Sequence, residues 1–329
     1  MKKTLLVLSA VLMVMVLIQA CAKTVNPTVP AQAPTAVPGS SWTEANRAAA
    51  FTARDYNTSV VYDGAMWVIA GGINNGSTLY NDVWYSMDGI YWQESTSNAA
   101  FSARIMHSSL VYNNEMWVIA GFDGSSKSDV WYSVDGTTWA CTTTAAAFGN
   151  RYAQTSSVYN NDMWVIGGVG TGHTNDVWYS TDGADWALAT GNAAFSPRFG
   201  HSSVTFNNKL WVIAGNDNSC KNDAWYSSDG INWAAATQNA AFPARNGHTS
   251  VVYDNAIWVI AGENSNGNYL NDVWYSADGA VWKQTVSNNA FTSRANHSSV
   301  VFNNEMWVIA GFYESTVYAY YLNDIWRAQ

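Results

Sequence analysis

Hydrophobic residues along this chain recur in short runs that polar turn residues interrupt at regular distances. The run Met-Trp-Val-Ile-Ala-Gly, or a close variant, occurs six times, and its tryptophan returns at spacings of 50, 47, 47, 47 and 49 residues. These tryptophans are Trp67, Trp117, Trp164, Trp211, Trp258 and Trp307. Because self-similarity at such a period is the signature of repeat architectures, the pattern predicts six copies of one structural unit.

Two further tryptophan series run in step with the first. One lies in Asn-Asp-Val-Trp-Tyr-Ser contexts, at Trp84, Trp131, Trp178, Trp225, Trp274 and Trp326. The other closes Ser-x-Asp-Gly-x-x-Trp, at Trp92, Trp139, Trp186, Trp233 and Trp282. That last series is one member short, but Trp42 lies nine residues before Phe51 just as Trp92 lies nine before Phe101. With Trp42 included, six units of three tryptophans account for all 18 in the chain.

Each unit has the pattern of four short antiparallel strands. In the first unit the strands run through residues 58–62, 66–70 and 82–86, and a fourth begins near Trp92. Asp63-Gly64 joins the first two, and its counterparts in the other units are Asn-Asn or Asp-Asn pairs. Pairs that tolerate a positive φ, flanked by β-branched and aromatic runs, are typical of two-residue hairpins.

The units together predict an all-β, six-bladed β-propeller with four-stranded antiparallel blades. One such sheet cannot bury both of its aromatic faces alone, but six arranged around an axis bury each face against the next. A ring also has to close. We expect residues 42–46, around Trp42, to be the outer strand of the last blade.

Several motifs carry a family resemblance. The stretch Pro197-Arg198-Phe199-Gly200-His201-Ser202, followed by residues 209–213 and a glycine, resembles a kelch repeat, as does the aromatic pair Tyr85 and Trp92. The double glycine of that repeat is present as Gly167-Gly168 and is reduced to Ala-Gly in most other units. The resemblance covers residues 42–329 and implies a kelch-type propeller. It leaves the chemistry open, because such propellers serve many unrelated purposes.

The first 41 residues predict an address and a tether rather than a domain. Lys2 and Lys3 precede an apolar run, too short to span a bilayer comfortably, that ends in Ile18-Gln19-Ala20-Cys21. This ending resembles a bacterial lipobox, so we expect residues 1–20 to be a lipoprotein signal peptide and Cys21 to be acylated. Ordinary secretion is the alternative. Residues 21–41 hold four of the six prolines and are typical of an extended spacer.

The N-terminal signal limits the expected localisation, and the net charge limits the expected binding partners. Because Ala22 rather than aspartate follows Cys21, the resemblance to lipoproteins implies the outer membrane if the source is diderm. A net charge of −9 argues against a nucleic-acid binder, which needs a basic surface. We expect a monomer without cofactor or metal. Galactose oxidase is also kelch-like, but nothing in this sequence indicates the cross-linked tyrosine and cysteine of its copper site.

Two polar positions recur in every unit. The first is an arginine, at Arg54, Arg104, Arg151, Arg198, Arg245 and Arg294. It could line a ring that binds carboxylates, or it could pair with the equally regular Asp82, Asp129, Asp176, Asp223, Asp272 and Asp324. Six-fold recurrence favours the structural pairing. The second position holds Asn57, His107, Gln154, His201, His248 and His297, and its replacement by Asn and Gln favours hydrogen bonding over metal binding.

Residues that escape the repeat are the better candidates for a site. The connection between the second and third strands varies in length, reaching 13 residues from Gly311 to Asp324 in the sixth unit. We call the side that carries these connections and the interblade segments the variable-loop face, and binding residues concentrate on such loops. The predicted ligand-binding residues are Asp55, Tyr56, Glu263, Phe312, Tyr313, Glu314, Tyr318, Tyr320 and Tyr321. Aromatics with a carboxylate suit stacking on sugar rings or gripping a polypeptide, although a long loop could also merely cover the channel mouth.

The sequence therefore favours a lipid-anchored extracytoplasmic recognition module that binds a protein or glycan of the cell envelope through the loops of blades five, six and one. An alternative is a carbohydrate-active enzyme, such as a sialidase-like protein. Six-bladed kelch proteins include a periplasmic sialic-acid epimerase, and that resemblance implies Glu263 or Glu314 as acid-base groups beside Arg245 and Arg294. A carboxylate and two arginines converging in one pocket would favour the enzyme. A structural envelope protein without a specific ligand is the third alternative.

Overall fold

The computed structural model describes residues 39–73, 76–285, 291–315 and 317–329. The predicted signal peptide, Cys21 and nearly all of the predicted tether lie outside the described residues. Regular structure in the described ranges is β-strand, and no helix in them is long and apolar enough to cross a membrane.

The strands of the first three blades follow the chain in order, with the innermost strand first. Blade one has β2 (Thr58–Tyr62), β3 (Ala65–Ile73), β4 (Thr78–Ser86) and β5 (Gln93–Thr96). Blade two has β6 (Ser108–Tyr112), β7 (Glu115–Phe122), β8 (Ser126–Ser133) and β9 (Ala140–Thr143). Blade three has β10 (Thr155–Tyr159), β11 (Asp162–Val169), β12 (His173–Ser180) and β13 (Ala187–Thr190).

The remaining three blades repeat this order, except that the last takes its outer strand from the beginning of the propeller. Blade four has β14 (Ser202–Phe206), β15 (Lys209–Asn216), β16 (Cys220–Ser227) and β17 (Ala234–Thr237). Blade five has β19 (Thr249–Tyr253), β20 (Ala256–Asn264), β21 (Tyr269–Ser276) and β22 (Lys283–Gln284). Blade six has β23 (Ser298–Phe302), β24 (Glu305–Glu314), β25 (Ala319–Ala328) and β1 (Trp42–Asn46).

All pairings within the blades are antiparallel, and the interblade segments join neighbouring blades. The two-residue strand β18 (Arg245–Asn246) pairs with both β16 and β20 and so merges blades four and five into one sheet. Equivalent segments make isolated bridges, such as Arg54 with Leu322 and Asp55 with Gly72. Each junction is therefore held by backbone hydrogen bonds as well as by packing.

The predicted closure of the ring is confirmed. β1 pairs with β25 through Trp42 opposite Ala328 and Thr43 opposite Arg327. The amide of Gly39 also donates to the carbonyl of Gln329 at 2.6 Å. The two ends of the propeller are thus held in one blade.

The hydrophobic core lies between the blades. Alternate residues of β3 point in opposite directions, so that Trp67 and Ile69 pack with Met116 of blade two, whereas Met66 and Val68 face blade six. This is why the second strand of each unit is apolar at nearly every position. A strand buried on both faces needs no polar alternation.

The turn between the last two strands of a blade fits closely against the neighbouring blade. Asp88 Oδ1 accepts hydrogen bonds from two following amides, and Trp92 Nε1 donates to the carbonyl of Gly89. Gly89 has φ near +74° and lies over Trp307 of blade six, where a Cβ would come within 2.2 Å of the indole ring. Gly39 lies over Trp258 in the same way, which extends the repeat to the closing strand.

We predict that Gly89→Ala destabilises the protein much more than Gly64→Ala. Both glycines have similar positive φ values, +74° and +71°, but a Cβ at Gly64 meets no atom within 4 Å. The backbone conformation alone should cost about 1 kcal/mol at either site, and overpacking against Trp307 should add roughly 1–3 kcal/mol at Gly89. Denaturant unfolding measures the difference. Equal losses at both sites would show that the turn does not pack as described.

Candidate functional site

The recurring arginines are bound inside the blades. Arg54 forms a two-pronged salt bridge with Asp82, with Nη1–Oδ1 and Nη2–Oδ2 distances of 2.6 and 2.7 Å. Its Nη1 also donates to the carbonyl of Ala70, and its Nε to that of Thr52. Ala70 has a positive φ at a β-bulge, so the arginine binds the carbonyl that the bulge would otherwise leave unpaired.

All six blades repeat this arrangement. The pairs are Arg54–Asp82, Arg104–Asp129, Arg151–Asp176, Arg198–Asp223, Arg245–Asp272 and Arg294–Asp324. Burial acts to raise the pKa of Asp129, but the hydrogen bonds and charge of Arg104 hold it below its usual value. The structural pairing of the arginines is confirmed. Arg245 and Arg294 are buried and hydrogen-bonded to Asp272 and Asp324, and their role beside Glu263 or Glu314 in an enzyme stays a prediction.

The second recurring position forms a ring of hydrogen bonds around the axis. His107 Nε2 lies 2.9 Å from Thr58 Oγ1 of the preceding blade. The other links are His201–Thr155, His248–Ser202, His297–Thr249, Asn57–Ser298 and Gln154–Ser108. Burial, followed by the charge of Arg104, lowers the pKa of His107 to about 3, so this ring position is neutral at physiological pH. The predicted hydrogen-bonding role is confirmed. Among the described residues no group of three or more His, Cys, Asp or Glu is placed to hold a metal ion.

The central channel is therefore neutral and nearly six-fold symmetric. Its walls include this ring and the two residues that follow it in each blade, all of which are serine or threonine. Apart from Asn57 and Gln154, which stand where the other blades have histidine, this lining repeats from blade to blade and offers few contacts that would fix the orientation of a ligand.

A second cavity breaks the symmetry on the variable-loop face, where blades five, six and one meet. It has a volume of about 220 Å³. Its lining residues are Asp55, Tyr56, Glu263, Tyr269, Asn296, Phe312, Glu314, Ala319 and Tyr321. We call it the acidic pocket. Six of the nine residues predicted for ligand binding line it, and no arginine, lysine or histidine is among the described residues of its wall.

The hairpin of β24 and β25 divides the remaining predicted residues between its two faces. Phe312 pairs with Tyr321, and Glu314 with Ala319, and these alternate positions all line the pocket. Tyr313 and Tyr320 pair on the opposite face, where their rings stack with centroids 4.7 Å apart. Tyr313, Tyr318 and Tyr320 therefore do not line the pocket.

The end of this hairpin is exposed. Val317, Tyr318 and Tyr320 are 71, 65 and 40% exposed, and the Tyr318 ring packs edge-on against Tyr320. We call these three residues, with Tyr313 stacked on Tyr320, the tyrosine tip. Val317 was not predicted from the sequence, although it lies between the predicted residues Glu314 and Tyr318.

Electrostatics in the pocket are dominated by the carboxyl groups of Asp55, Glu263 and Glu314, which form no salt bridge with any residue that the structure describes. Asp55 is only 3% exposed, and its burial raises the pKa of its carboxyl to about 7. Burial and the nearby charge of Glu314 raise the pKa of Glu263 as well. Burial, then the charges of Glu263 and Glu314, raise the pKa of Tyr269.

The raised pKa of Asp55 has a cost for stability. The unfolded chain loses this proton near pH 4, whereas the folded chain keeps it until about pH 7. Across that interval the folded state binds more protons, so this residue makes the free energy of unfolding fall as the pH rises. The folded protein is therefore more stable when the Asp55 carboxyl group is protonated than when it is charged.

Tyr269 and Asn296 are the pocket residues with polar side chains that sequence reasoning missed. Tyr269 lies in the lengthened connection after Gly262, and Asn296 follows Arg294 by two residues, as Tyr56 follows Arg54. The side chains of Tyr56 and Asn296 share a hydrogen bond that acts on the pKa of the tyrosine. Matching the repeats position by position would have found Asn296 from Tyr56.

A larger cavity, of about 480 Å³, lies between blades two and three. Small polar residues such as Ser126, Asn150 and Thr171 line much of it, and its charged residue Arg151 is bound to Asp176. It offers hydrogen-bonding groups but no free charge or exposed aromatic ring. The acidic pocket is the more distinctive site.

This architecture defines the chain as a six-bladed β-propeller whose loops carry an acidic, aromatic site. A family model described as the KLHDC2/KLHL20/DRC7 Kelch-repeats domain matches residues 57–233, more than half of the chain, and a Kelch motif model matches residues 244–275. The chain belongs to the kelch-repeat family, whose propellers generally act as protein-interaction modules. No curated protein matches the sequence.

Proposed function

We propose that this protein is a lipid-anchored extracytoplasmic recognition module that binds a protein partner through the variable-loop face of blades five, six and one. The tyrosine tip is the observation that carries this proposal. Three large side chains stand exposed side by side at the end of a long hairpin, and exposed aromatic clusters mark contact surfaces on soluble proteins. Tyrosines are also enriched among the residues that contribute most to binding at protein interfaces.

The scaffold supports a binding role. Blades five and six are fixed to their neighbours by interblade bridges and by buried arginine pairs, so the hairpin projects from a rigid base. A rigid base reduces the conformational entropy that the hairpin loses when a partner binds. The family's general role in protein interaction agrees with this reading.

A protein partner fits the tip better than a glycan does. The rings of Tyr313 and Tyr320 stack with an interplanar angle of 9°, so each covers one face of the other. Each ring still has a second face on which a sugar could stack, but the adjoining Val317 is 71% exposed, and such an aliphatic side chain packs on a polypeptide rather than on a sugar. The glycan remains an outcome of the test below.

The enzyme alternative required a carboxyl group and two free arginines in one pocket. A raised carboxyl pKa such as that of Asp55 would suit a general acid or base. However, Arg245 and Arg294 would have to bind a sugar carboxylate, and both are held by aspartates within the blades. The binding role needs no such rearrangement.

The anchor rests on the first residues of the sequence. Lys2 and Lys3, the short apolar run and Cys21 together have the order of a lipoprotein signal. The proline-containing spacer would then hold the propeller at a distance from the membrane.

We predict that a photo-cross-linking amino acid placed at Tyr318 captures a discrete protein partner in the cells that produce this chain. The matched control places the same amino acid at Tyr91, which is 75% exposed but lies in a turn on the opposite face. Mass spectrometry of the cross-linked bands measures the outcome. We expect one partner from position 318, and a weaker band when Tyr320→Ser is added.

Identical bands from positions 318 and 91 would mean that contact with the tip is non-specific and would contradict the proposal. The absence of any band from position 318, together with a glycan that raises the melting temperature, would favour the glycan instead.

We predict that Cys21→Ser moves the protein from the membrane fraction to the soluble fraction. Two acyl-chain signals are needed for stable anchoring, and removal of the acylated cysteine removes them. Cell fractionation with metabolic fatty-acid labelling measures this, and Cys141→Ser, which changes an exposed cysteine of the propeller, is the control. Labelling that survives Cys21→Ser would contradict the anchor.

A further inference from the structure

We propose that the acidic pocket binds the cationic side chain of a lysine or arginine presented by the protein partner. This inference rests on the proposed function, because the same face and the same partner are involved. It adds the chemical class of the group that the partner inserts.

Asp55 is the first line of support. Its side chain is almost fully buried, yet it forms no salt bridge with any described residue, and the one hydrogen bond that favours its charged form comes from its own backbone amide. Its neighbour Arg54 points away and is bound to Asp82. A buried carboxylate without a cation is costly, and such groups are ordinarily paired. In the free protein the carboxyl group avoids this cost by keeping its proton, and a cationic ligand would supply the partner that its charged form lacks among the described residues.

The remaining charges strengthen the same preference. Glu263 comes from blade five and Glu314 from blade six, and each lies close enough to act on the pKa of Tyr269. Asp55 and Glu263 likewise act, after burial, on the pKa of Tyr56. Carboxyl groups from three blades thus build one negative region. An anionic ligand would be repelled, and a neutral one would leave Asp55 unpaired.

The walls suit an alkyl chain that ends in a cation. Phe312 packs edge-on against Tyr269 at 5.5 Å and tilts against Tyr321 at 4.9 Å, so aromatic rings border the carboxyl groups. Cations are attracted to the faces of such rings, and the methylene groups of lysine and arginine pack on apolar surface. The volume of about 220 Å³ equals that of roughly seven water molecules, comparable to one long side chain.

The position of the pocket explains why a polypeptide would deliver this cation. The pocket and the tyrosine tip occupy opposite faces of the same two-stranded hairpin, through Glu314 and Ala319 on one side and Tyr313 and Tyr320 on the other. A partner that extends over the end of this hairpin would therefore contact both the tip and the pocket. One basic side chain could then reach Asp55.

The test titrates the full-length protein with short blocked alanine peptides whose central residue is lysine, arginine, norleucine or glutamate, and follows NMR shifts at Tyr269 and Asn296. We expect the lysine and arginine peptides to bind at least tenfold more tightly than the norleucine peptide, which has a similar side-chain length without the charge. Asp55→Asn should abolish this preference. Asp185→Asn, which changes an exposed carboxyl group in the turn between β12 and β13 of blade three, should leave this preference unchanged.

The pH dependence gives an independent readout. Asp55 faces Tyr56, Tyr269, Glu263 and Glu314, and its own carboxyl group, with a pKa raised by burial to about 7, loses its proton as the pH rises. Affinity for the lysine peptide should therefore increase at least about fivefold between pH 5.5 and 8, while binding of the norleucine peptide should not change. A flat profile for the lysine peptide would overturn the proposal.

Other results also decide the matter. Equal binding of norleucine and lysine peptides, or an unchanged preference in Asp55→Asn, would overturn the proposal. Equal affinity for butylammonium and for the lysine peptide would mean that the pocket binds a free amine, and it would overturn the proposal that a polypeptide supplies the cation. Tighter binding of calcium than of either peptide would mean that the pocket binds a metal ion, and it would also overturn the proposal.

The two proposals fail separately. If cross-linking from position 318 captures a partner but the peptides show no preference for charge, the recognition role stands and the cation site falls. If lysine peptides bind as expected but no partner is cross-linked, the cation site stands and the contact surface falls.

Discussion

The bidentate salt bridge between an arginine and an aspartate, repeated in each blade, is the interaction on which the rest of the structure depends. In blade one, Arg54 joins the interblade segment to the bulge at Ala70 and to Asp82, and Asp82 in turn accepts a hydrogen bond from Trp84. A single side chain thus connects three parts of a blade. Each of the six repeated arginines is bound to an aspartate, so none of them is available to bind a ligand on the variable-loop face.

The acidic pocket follows from this complete pairing. Asp55 is adjacent in sequence to an arginine, yet that arginine is committed to Asp82. Glu314 ends β24, which extends beyond the length of its counterparts in blades two to four, and Glu263 takes the position that Phe122 occupies in blade two. The regular part of the molecule therefore supplies rigidity and neutrality, and the lengthened hairpins supply charge and aromatic surface. Function in this fold is carried by departures from the repeat.

Much of the fold follows from the sequence because the repeat constrains it six times over. Trp42 predicted the closing strand because the tryptophan series was one short, and the arginine pairing followed from equal recurrence of Arg54 and Asp82. The candidate site was harder. Asp55 and Glu263 escaped the template and were found, but the burial of Asp55 and the separation of Phe312 from Tyr313 depend on strand register, which one sequence does not specify. Tyr269 was missed because a lone tyrosine at the start of a strand, here β21, carries no signal until its neighbours are known.

The carboxyl titration of Asp55 tests the central claim most directly. Carbon-13 NMR of the side-chain carboxyl, assigned by comparison with Asp55→Asn, gives its pKa in the unliganded protein. A buried carboxyl group without a cationic partner predicts a pKa of about 7. A pKa at or below 4 would mean that the protein already provides a cation or enough hydrogen bonds for the charged form, and the account of the pocket would be wrong.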